Sequence, residues 1–169
     1  MNIRCLSSID AGAIRGLSDV LIDCVEGGAS VSFMAPLTRD RAEAFWSEVI
    51  AGAARGERLL LIAEDAAGSI VGTVQVVFAQ YENQPHRADI AKMLVHRASR
   101  RRGIGEALLA RAESLAQQAG KTLLVLDTAS GDAERLYARR GWQRCGVIPR
   151  YALLPHGGLC DTTIFYRTL

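Results

Sequence analysis

The first third of the chain carries hydrophobic residues at helical spacing. Apolar positions within 14–25 fall three or four residues apart, which predicts a helix from about Ser8 to Glu26 that Gly27 ends. Thr38 belongs to the residue types that cap helices, and an apolar stripe over 42–53 follows it. A second helix is therefore expected after Thr38.

The middle of the chain changes to short apolar and β-branched runs. Residues 59–63 and 70–78 flank a polar turn at 64–68, which predicts an antiparallel hairpin. After a loop at 82–86, the run from Asp89 to Val95 predicts the next strand.

The second half alternates between the two patterns. A helical stripe over 108–119 precedes a continuous apolar run at 122–126, and a short helix is expected over 132–140. Two further strands are expected within 142–169, around a turn at 156–158.

These elements follow one another in the order ααβββαβαββ, in one domain that spans 1–169. The strand–helix–strand unit over 89–127 implies one parallel pair of strands with a crossover helix, while the hairpins supply antiparallel pairs. The sequence thus predicts an α/β fold in which helices flank a mixed, mostly antiparallel sheet.

Composition and charge limit the class of protein but do not specify its function. The chain has 169 residues, a net charge of +2 and 49% hydrophobic residues, values typical of a globular protein. Its four cysteines form no CxxC pair and its three histidines are scattered, so no metal site is expected. Neither a signal peptide nor a run of about 20 apolar residues is recognisable. We expect a cytoplasmic protein with free thiols and no membrane partner.

The segment with clear chemical meaning is Arg100-Arg101-Arg102-Gly103-Ile104-Gly105-Glu106, between a strand and a helix. The first amides of a helix have no partner within it and bind phosphate, and glycine lets a diphosphate approach the backbone. The segment lacks the GxxxxGK[ST] pattern of a Walker loop. It also differs from the GxGxxG fingerprint of dinucleotide-binding proteins, because Leu108 occupies the place of the third small residue. Its alternative interpretation is a solvated basic turn.

Two spaced motifs resemble those of a known family. Arg100-x-x-Gly103-x-Gly105 resembles the R/Q-x-x-G-x-G/A signature of the GNAT family of N-acetyltransferases, and residues 133–142 read A-x-x-L-Y-x-x-x-G-W, similar to a second stretch of that family. The element order is also similar. The resemblance implies a GNAT-like acyl-CoA N-acyltransferase fold and acetyl-CoA as acetyl donor.

A narrower resemblance concerns the acceptor. Residues 27–31, 87–89, 126–128 and 161–169 look like those of the tabtoxin-resistance subfamily, which acetylates a β-lactam-containing dipeptide toxin. This likeness implies a small, amino-acid-like acceptor.

The family resemblance also implies roles in cofactor binding. The backbone of Met93, Leu94 and Val95 would pair with the pantetheine arm, and Ser130 stands where many relatives place an asparagine on the cofactor. Tyr137 matches the usual proton donor to the coenzyme A sulfur, with a buried core tyrosine as the alternative. The diphosphate would lie on the amides of Arg100, Arg101, Arg102, Gly103, Ile104, Gly105 and Glu106.

An ammonium acceptor must lose a proton before it attacks a thioester, so a base is needed. Asp89 and Asp127 are the candidates, because the subfamily pattern has carboxylates at both positions. Asp89 stands where glutamate is expected, which shortens its reach by about 1.5 Å, and a water would bridge the gap. The alternatives are a polar residue at a strand start for Asp89 and a loop or capping carboxylate for Asp127.

The acceptor pocket is expected between two loops. Gly28, Ser30 and Phe33 would form one wall, and Arg87 would hold a substrate carboxylate from the other. A surface charge is the alternative role for Arg87.

The sequence therefore favours an enzyme that acetylates the amine of a small molecule. Alternatives are a peptide or protein N-terminal acetyltransferase and a catalytically degenerate domain that binds coenzyme A. Nucleic-acid binding through Arg97–Arg102 is disfavoured, because no aromatic residues are interleaved with the arginines. The oligomeric state stays open, with a homodimer as one option.

Overall fold

The computed structural model describes residues 1–6, 8 and 10–169. Within these residues the chain forms a seven-stranded sheet, four α-helices and a short 3₁₀ turn at Arg97–Ser99. The elements are β1 (Asn2–Leu6), α1 (Ala11–Glu26), α2 (Arg39–Ala54), β2 (Arg58–Glu64), β3 (Ile70–Phe78), β4 (Arg87–Val95), α3 (Ile104–Gln118), β5 (Leu123–Thr128), α4 (Gly131–Arg139), β6 (Gln143–Leu153) and β7 (Leu159–Thr168).

The sheet confirms the predicted α/β class. Its strands lie in the order β1-β2-β3-β4-β5-β7-β6, and only β4 and β5 pair in parallel, with α3 as the crossover. The predicted helices and strands are present with ends shifted by a few residues, and the Thr38 hydroxyl caps α2 as expected.

The predicted element order was wrong at its start, because it lacks β1. This strand lies at the edge of the sheet and only Leu6 is buried, so it has little of the apolar alternation that marks a strand. The first helix also begins later than Ser8, at Ala11, where the side chain of Asp10 accepts a hydrogen bond from the Gly12 amide at 2.8 Å. Ser7 and Ile9 lie outside the described residues.

Two apolar clusters cover the two faces of the sheet. The cluster on one face comes from α1 and α2 and includes the fully buried Trp46. The cluster on the other face comes from α3 and α4 and includes Leu108 and Tyr137. The three helical stripes predicted from sequence, over 14–25, 42–53 and 108–119, contribute to these clusters.

A β-bulge interrupts β4. Gln75 of β3 pairs with Ala91 and Thr73 pairs with Leu94, so two residues of β4 lie opposite one residue of β3. Lys92, in the bulge, has a left-handed backbone with φ of +47°. In a regular strand, residues four apart share a face. Here Ile90 joins the α3 cluster and Leu94 joins the α1–α2 cluster, because the bulge reverses the alternation.

Next to the bulge, β4 and β5 diverge. They pair only over 87–89 and 123–125, although β4 continues to Val95 and β5 to Thr128. The second half of β4 therefore presents backbone N–H and C=O groups that β5 does not use.

Candidate active site

A cavity of about 800 Å³ occupies the gap between the diverging strands. Its walls come from the second half of β4, the start of α3, the start of α4 and the loop after α1. A second, smaller cavity of about 270 Å³ adjoins it and reaches β6 and β7. The two linings share Ser30, Ser32, Asp127 and Ala129.

The N-terminus of α3 opens into the large cavity. Among the described α-helices, α1, α2 and α4 are capped by side chains of Asp10, Thr38 and Ser130, whereas α3 begins at Gly103 with no side-chain cap. The first backbone amides of α3, from Ile104 to Glu106, consequently have no helical acceptor and carry partial positive charge.

The shape of this helix end fits a diphosphate. Gly103 has φ of +77°, and a Cβ built there would meet no atom within 4 Å. A Cβ on Gly105 would instead meet Leu136 Cδ2 at 3.6 Å, an ordinary contact inside the protein. A phosphate can therefore approach the backbone closely at Gly103, and binding to the helix amides requires such an approach.

The loop before α3 is fixed by polar contacts. Asp23 of α1 accepts hydrogen bonds from the Arg97 amide at 2.7 Å and from Arg97 Nε at 2.9 Å. Burial acts to raise the pKa of Asp23, but these hydrogen bonds and the charges of His96 and Arg97 outweigh it and leave the pKa lowered. The carboxylate therefore stays charged and holds the loop against α1.

The three arginines of the loop take different positions. Arg100 is exposed and lines the large cavity, its Nε donates to the Val95 carbonyl at 3.1 Å, and its amide donates to the Arg97 carbonyl. Arg101 lines the cavity with a left-handed backbone, whereas Arg102 is exposed and outside the lining. Met93, Leu94 and Val95 line the cavity along the free edge of β4.

Tyr137 of α4 lines the large cavity. Its ring packs against Trp142 and Phe165 at centroid distances of 5.8 and 5.7 Å, and the residue is only 4% exposed. Burial raises the pKa of its phenol, and the negative charge of Asp127 raises it further. The phenol is therefore protonated at neutral pH and can donate a proton.

Asp127 occupies the junction of the two cavities. The buried Thr162 hydroxyl of β7 donates to Asp127 Oδ2 at 2.8 Å, which leaves Oδ1 for another donor. Leu124 and Leu126 belong to the α3 cluster, so Asp127 faces the other side of the sheet, toward the loop after α1. An exposed carboxylate at this junction can accept a proton and exchange it with water.

Asp89 lies on the same side of the sheet but outside both cavity linings. Its carboxylate accepts a hydrogen bond from Arg87 NH1 at 3.1 Å. Burial raises the pKa of Asp89, while Arg87 lowers it and Asp127 adds to the rise. Asp89 thus interacts electrostatically with Asp127, without contributing to the surface of either cavity.

Three of the four residues predicted to bind the acceptor line one or both cavities. Gly28 and Ser30 line the large cavity, and Ser30 and Phe33 line the small one. Arg87 contributes to neither, since Nε bonds Gln84 and NH1 bonds Asp89. Ser130 lines the large cavity while its hydroxyl accepts a hydrogen bond from the Ala133 amide at 3.4 Å, which makes it the cap of α4.

The sequence reasoning missed part of the site. Lys92 lines the large cavity, and Tyr151, Cys160 and Thr162 line the small one. No local motif marks these residues.

A model of the acetyltransferase (GNAT) domain matches residues 55–144, which is more than half of the chain. The chain belongs to the GNAT acetyltransferase family.

The matched part of this GNAT domain runs from the start of β2 through α4 to the start of β6. It includes the bulged β4, the uncapped start of α3, Asp127 and Tyr137. The loop after α1 and the β6–β7 residues that line the small cavity lie outside it. The matched range therefore contains most of the lining of the large cavity and only two lining residues of the small one, Asp127 and Ala129.

Solved GNAT structures share the fold over nearly the full length. A ribosomal-protein-alanine N-acetyltransferase from Brucella melitensis is 22% identical, with 100% of each chain covered and a TM-score of 0.81. The structure of yncA from Salmonella typhimurium with its cofactor acetyl-CoA is 20% identical, covering 100% of this chain and 94% of that one, with a TM-score of 0.82. A phosphinothricin acetyltransferase from Sinorhizobium meliloti in complex with acetyl-CoA is 17% identical, covering 100% and 89%, with a TM-score of 0.82. At these identities the likeness concerns the fold.

In the part of the chain that the structure describes, no helix combines the length and the hydrophobicity of a membrane span. In the same part of the chain, no group of three or more His, Cys, Asp or Glu side chains could hold a metal ion.

Proposed function

We propose that this GNAT domain transfers the acetyl group of acetyl-CoA to the amine of a small molecule. The observation that carries the proposal is the meeting of the two cavities at Asp127, with a free helix N-terminus in the larger one. A long, partly anionic donor fits the larger cavity, and a compact acceptor fits the smaller one.

Acetyl-CoA is the acetyl donor of the family, and the residues present suit it. The amides from Ile104 to Glu106 would hold its diphosphate, and the free edge of β4 at Met93–Val95 would pair with its pantetheine amides. Bound there, acetyl-CoA supplies an acetyl group activated as a thioester.

Asp127 is the base that we assign to the reaction. The acceptor reaches the site as an ammonium ion and must pass a proton to a carboxylate before its nitrogen can form the new amide bond. Asp127 is exposed at the junction, and Thr162 fixes its orientation through a hydrogen bond at 2.8 Å. The resemblance implies a role for Asp89 as well, and a bridging water would compensate for its shorter side chain.

Tyr137 is the proton donor that we assign to the departing sulfur. Its phenol lines the large cavity, and its raised pKa keeps the proton in place until the carbon–sulfur bond breaks. General acid groups of this kind contribute about 100- to 10,000-fold to rates.

The size of the smaller cavity supports a small acceptor. Its volume of about 270 Å³ lies slightly below the range of pockets for drug-sized ligands, about 300–1,000 Å³. The tabtoxin-resistance resemblance and the phosphinothricin acetyltransferase among the structural neighbours agree with an amino-acid-like acceptor. The Brucella neighbour is a ribosomal-protein-alanine N-acetyltransferase, so the test of acceptors includes peptides with free N-termini.

A thiol-release assay tests the proposal. Acetyl-CoA would be incubated with the protein and with amino acids, dipeptides, amine-bearing antibiotics and peptides with free N-termini. We expect turnover with members of the small-molecule set and a large loss in the Asp127→Asn variant. Turnover confined to peptides would favour N-terminal acetylation, and tight acetyl-CoA binding without turnover would favour a degenerate domain.

Location and assembly complete the proposal. The four cysteines are free thiols, which suits a reducing cytoplasm. β6 is an edge strand with exposed Val147, Ile148 and Tyr151, so we propose a homodimer for testing by light scattering.

A further inference from the structure

Lys92 has a strained position at the wall of the large cavity. Its backbone φ is +47° in the β4 bulge, and its ammonium donates to Ser32 Oγ at 3.1 Å. Ser32 itself has φ of +76°. Non-glycine residues seldom adopt this backbone, and such residues cluster at functional sites. Ser32 lines both cavities, so the bulge places the Lys92 ammonium close to their junction.

In the described part of the chain the Lys92 ammonium forms no salt bridge, and its one hydrogen bond there goes to the neutral Ser32 hydroxyl. The ring of Phe45 lies 6.0 Å away. Burial lowers the pKa of Lys92, and the charge of Asp127 acts in the opposite direction. A half-buried ammonium with few partners gains strongly from an incoming anion.

Lys92 and Asp127 together form a charge pattern. Asp127 faces the same side of the sheet as the loop that carries Ser32, and it is close enough to influence the pKa of Lys92. A negative and a positive group thus flank the point where the donor and acceptor cavities meet. A molecule with an ammonium and an anionic group matches this arrangement.

We propose that Lys92 binds the anionic group of the acceptor while Asp127 receives its ammonium, so that the acceptor is an amino acid or a similar small amine with a carboxylate. This inference rests on the proposed function and makes Lys92 a specificity-determining residue. Arg87, the sequence candidate for the same task, is engaged with Gln84 and Asp89 outside both linings.

A comparison of matched acceptors tests the assignment. The panel contains L-amino acids, each with its α-amide, and the measured quantity is the acid-to-amide ratio of kcat/KM. Loss of one charge-assisted hydrogen bond corresponds to a change of about 10- to 100-fold in this ratio. We expect the wild type to prefer acids by that factor and Lys92→Met to reduce the ratio to near one.

The chain offers a close control because it contains only two lysines, Lys92 and Lys121. Lys121 bonds the Pro85 carbonyl away from both cavities, so Lys121→Met should retain the wild-type ratio. Lys92→Arg keeps the charge and should retain a preference for acids. Thermal melts of all three variants show whether any change reflects loss of folding.

A binding measurement provides a readout independent of turnover. Calorimetry with coenzyme A-loaded protein compares N-acetyl amino acids with their amides. The wild type should bind the acids about 10- to 100-fold more tightly, and Lys92→Met should bind both alike. The affinity of Lys92→Met for acetyl-CoA should equal that of the wild type.

Different results would refute the proposed function and the inference about Lys92. If no amine is acetylated by the wild type, the proposed function fails, and the calorimetric comparison still decides the role of Lys92. If acetylation proceeds but Lys92→Met keeps the acid-to-amide ratio, the inference about Lys92 is overturned. Weaker acetyl-CoA binding in Lys92→Met would also overturn it, because Lys92 would then serve the donor.

Discussion

Three glycines in and beside α3 provide a test of diphosphate binding at its N-terminus. Gly103 at the N-terminus and Gly120 just after the C-terminus have φ of +77° and +76°, and a Cβ at either would meet no atom within 4 Å. Gly105 has a helical backbone, and its Cβ would make an ordinary contact with Leu136. Alanine at these positions separates backbone strain from interference with the ligand.

The expected stabilities follow from the backbone angles. An L-residue in the left-handed region costs about 1–2 kcal/mol, so Gly103→Ala and Gly120→Ala should each lower the free energy of unfolding by that amount. For a domain of this size the loss lowers Tm by about 2–8 °C. Gly105→Ala should leave stability unchanged or raise it by up to about 1 kcal/mol, because alanine favours the helix.

Acetyl-CoA affinity should separate the first two variants. Gly103 lines the cavity and Gly120 does not, so a new Cβ at Gly103 would displace a diphosphate from the helix amides. Gly105 also lines the cavity, but a Cβ there would contact Leu136. Loss of one charge-assisted contact corresponds to a Kd about 10- to 100-fold weaker for Gly103→Ala. Gly120→Ala and Gly105→Ala should bind within about threefold of the wild type. Isothermal calorimetry measures all four proteins.

Equal weakening in Gly103→Ala and Gly120→Ala would refute this reasoning, because strain alone would then explain the effect. Wild-type affinity in Gly103→Ala would refute it more directly, since the close approach at Gly103 would be unnecessary.

Two further predictions concern Tyr137 and Asp23. Tyr137→Phe keeps the ring packed but removes the proton, so kcat should fall about 100-fold or more with little change in acetyl-CoA Kd; steady-state kinetics and calorimetry measure both. Asp23→Asn should lower Tm at pH 7, because Arg97 loses a charged partner. The pKa of Asp23 is lowered in the folded protein, so its stabilisation is present above the unfolded pKa and disappears as pH falls through the folded value.

Matched measurements control these two predictions. Tyr166→Phe removes a hydroxyl that bonds Gln143 outside both linings, and it should retain kcat. Unchanged kcat in Tyr137→Phe would exclude the donor role. Melting curves of Asp23→Asn and the wild type should converge in acid, and a constant gap from pH 7 down to pH 2 would contradict the ionic origin of the effect.

The sequence predicted most of the fold because its elements carry strong local patterns. The amphipathic stripe of α3 and the apolar run of β5 define a crossover unit, and the glycine-bearing loop between β4 and α3 marks a helix N-terminus. β1 was missed because an exposed edge strand has little apolar alternation.

The acceptor side of the site could not be predicted in the same way. The bulge at Lys92 has no glycine to signal it, so regular alternation gives no reason to place Lys92 beside Ser32. Thr162 reaches Asp127 only because β7 pairs with β5, a contact between residues 35 apart in the chain. Pairings between distant strands and a local irregularity, rather than motifs, assemble this part of the site.

The most direct test of the account is amide hydrogen exchange with and without acetyl-CoA. The account predicts slower exchange on binding at the free edge of β4, over 91–95, and at the start of α3, over 103–106, with little change at its end near Gly120. Binding of acetyl-CoA without protection in either segment, or no binding at all, would contradict the claim that the diverging strands and the uncapped helix hold the donor.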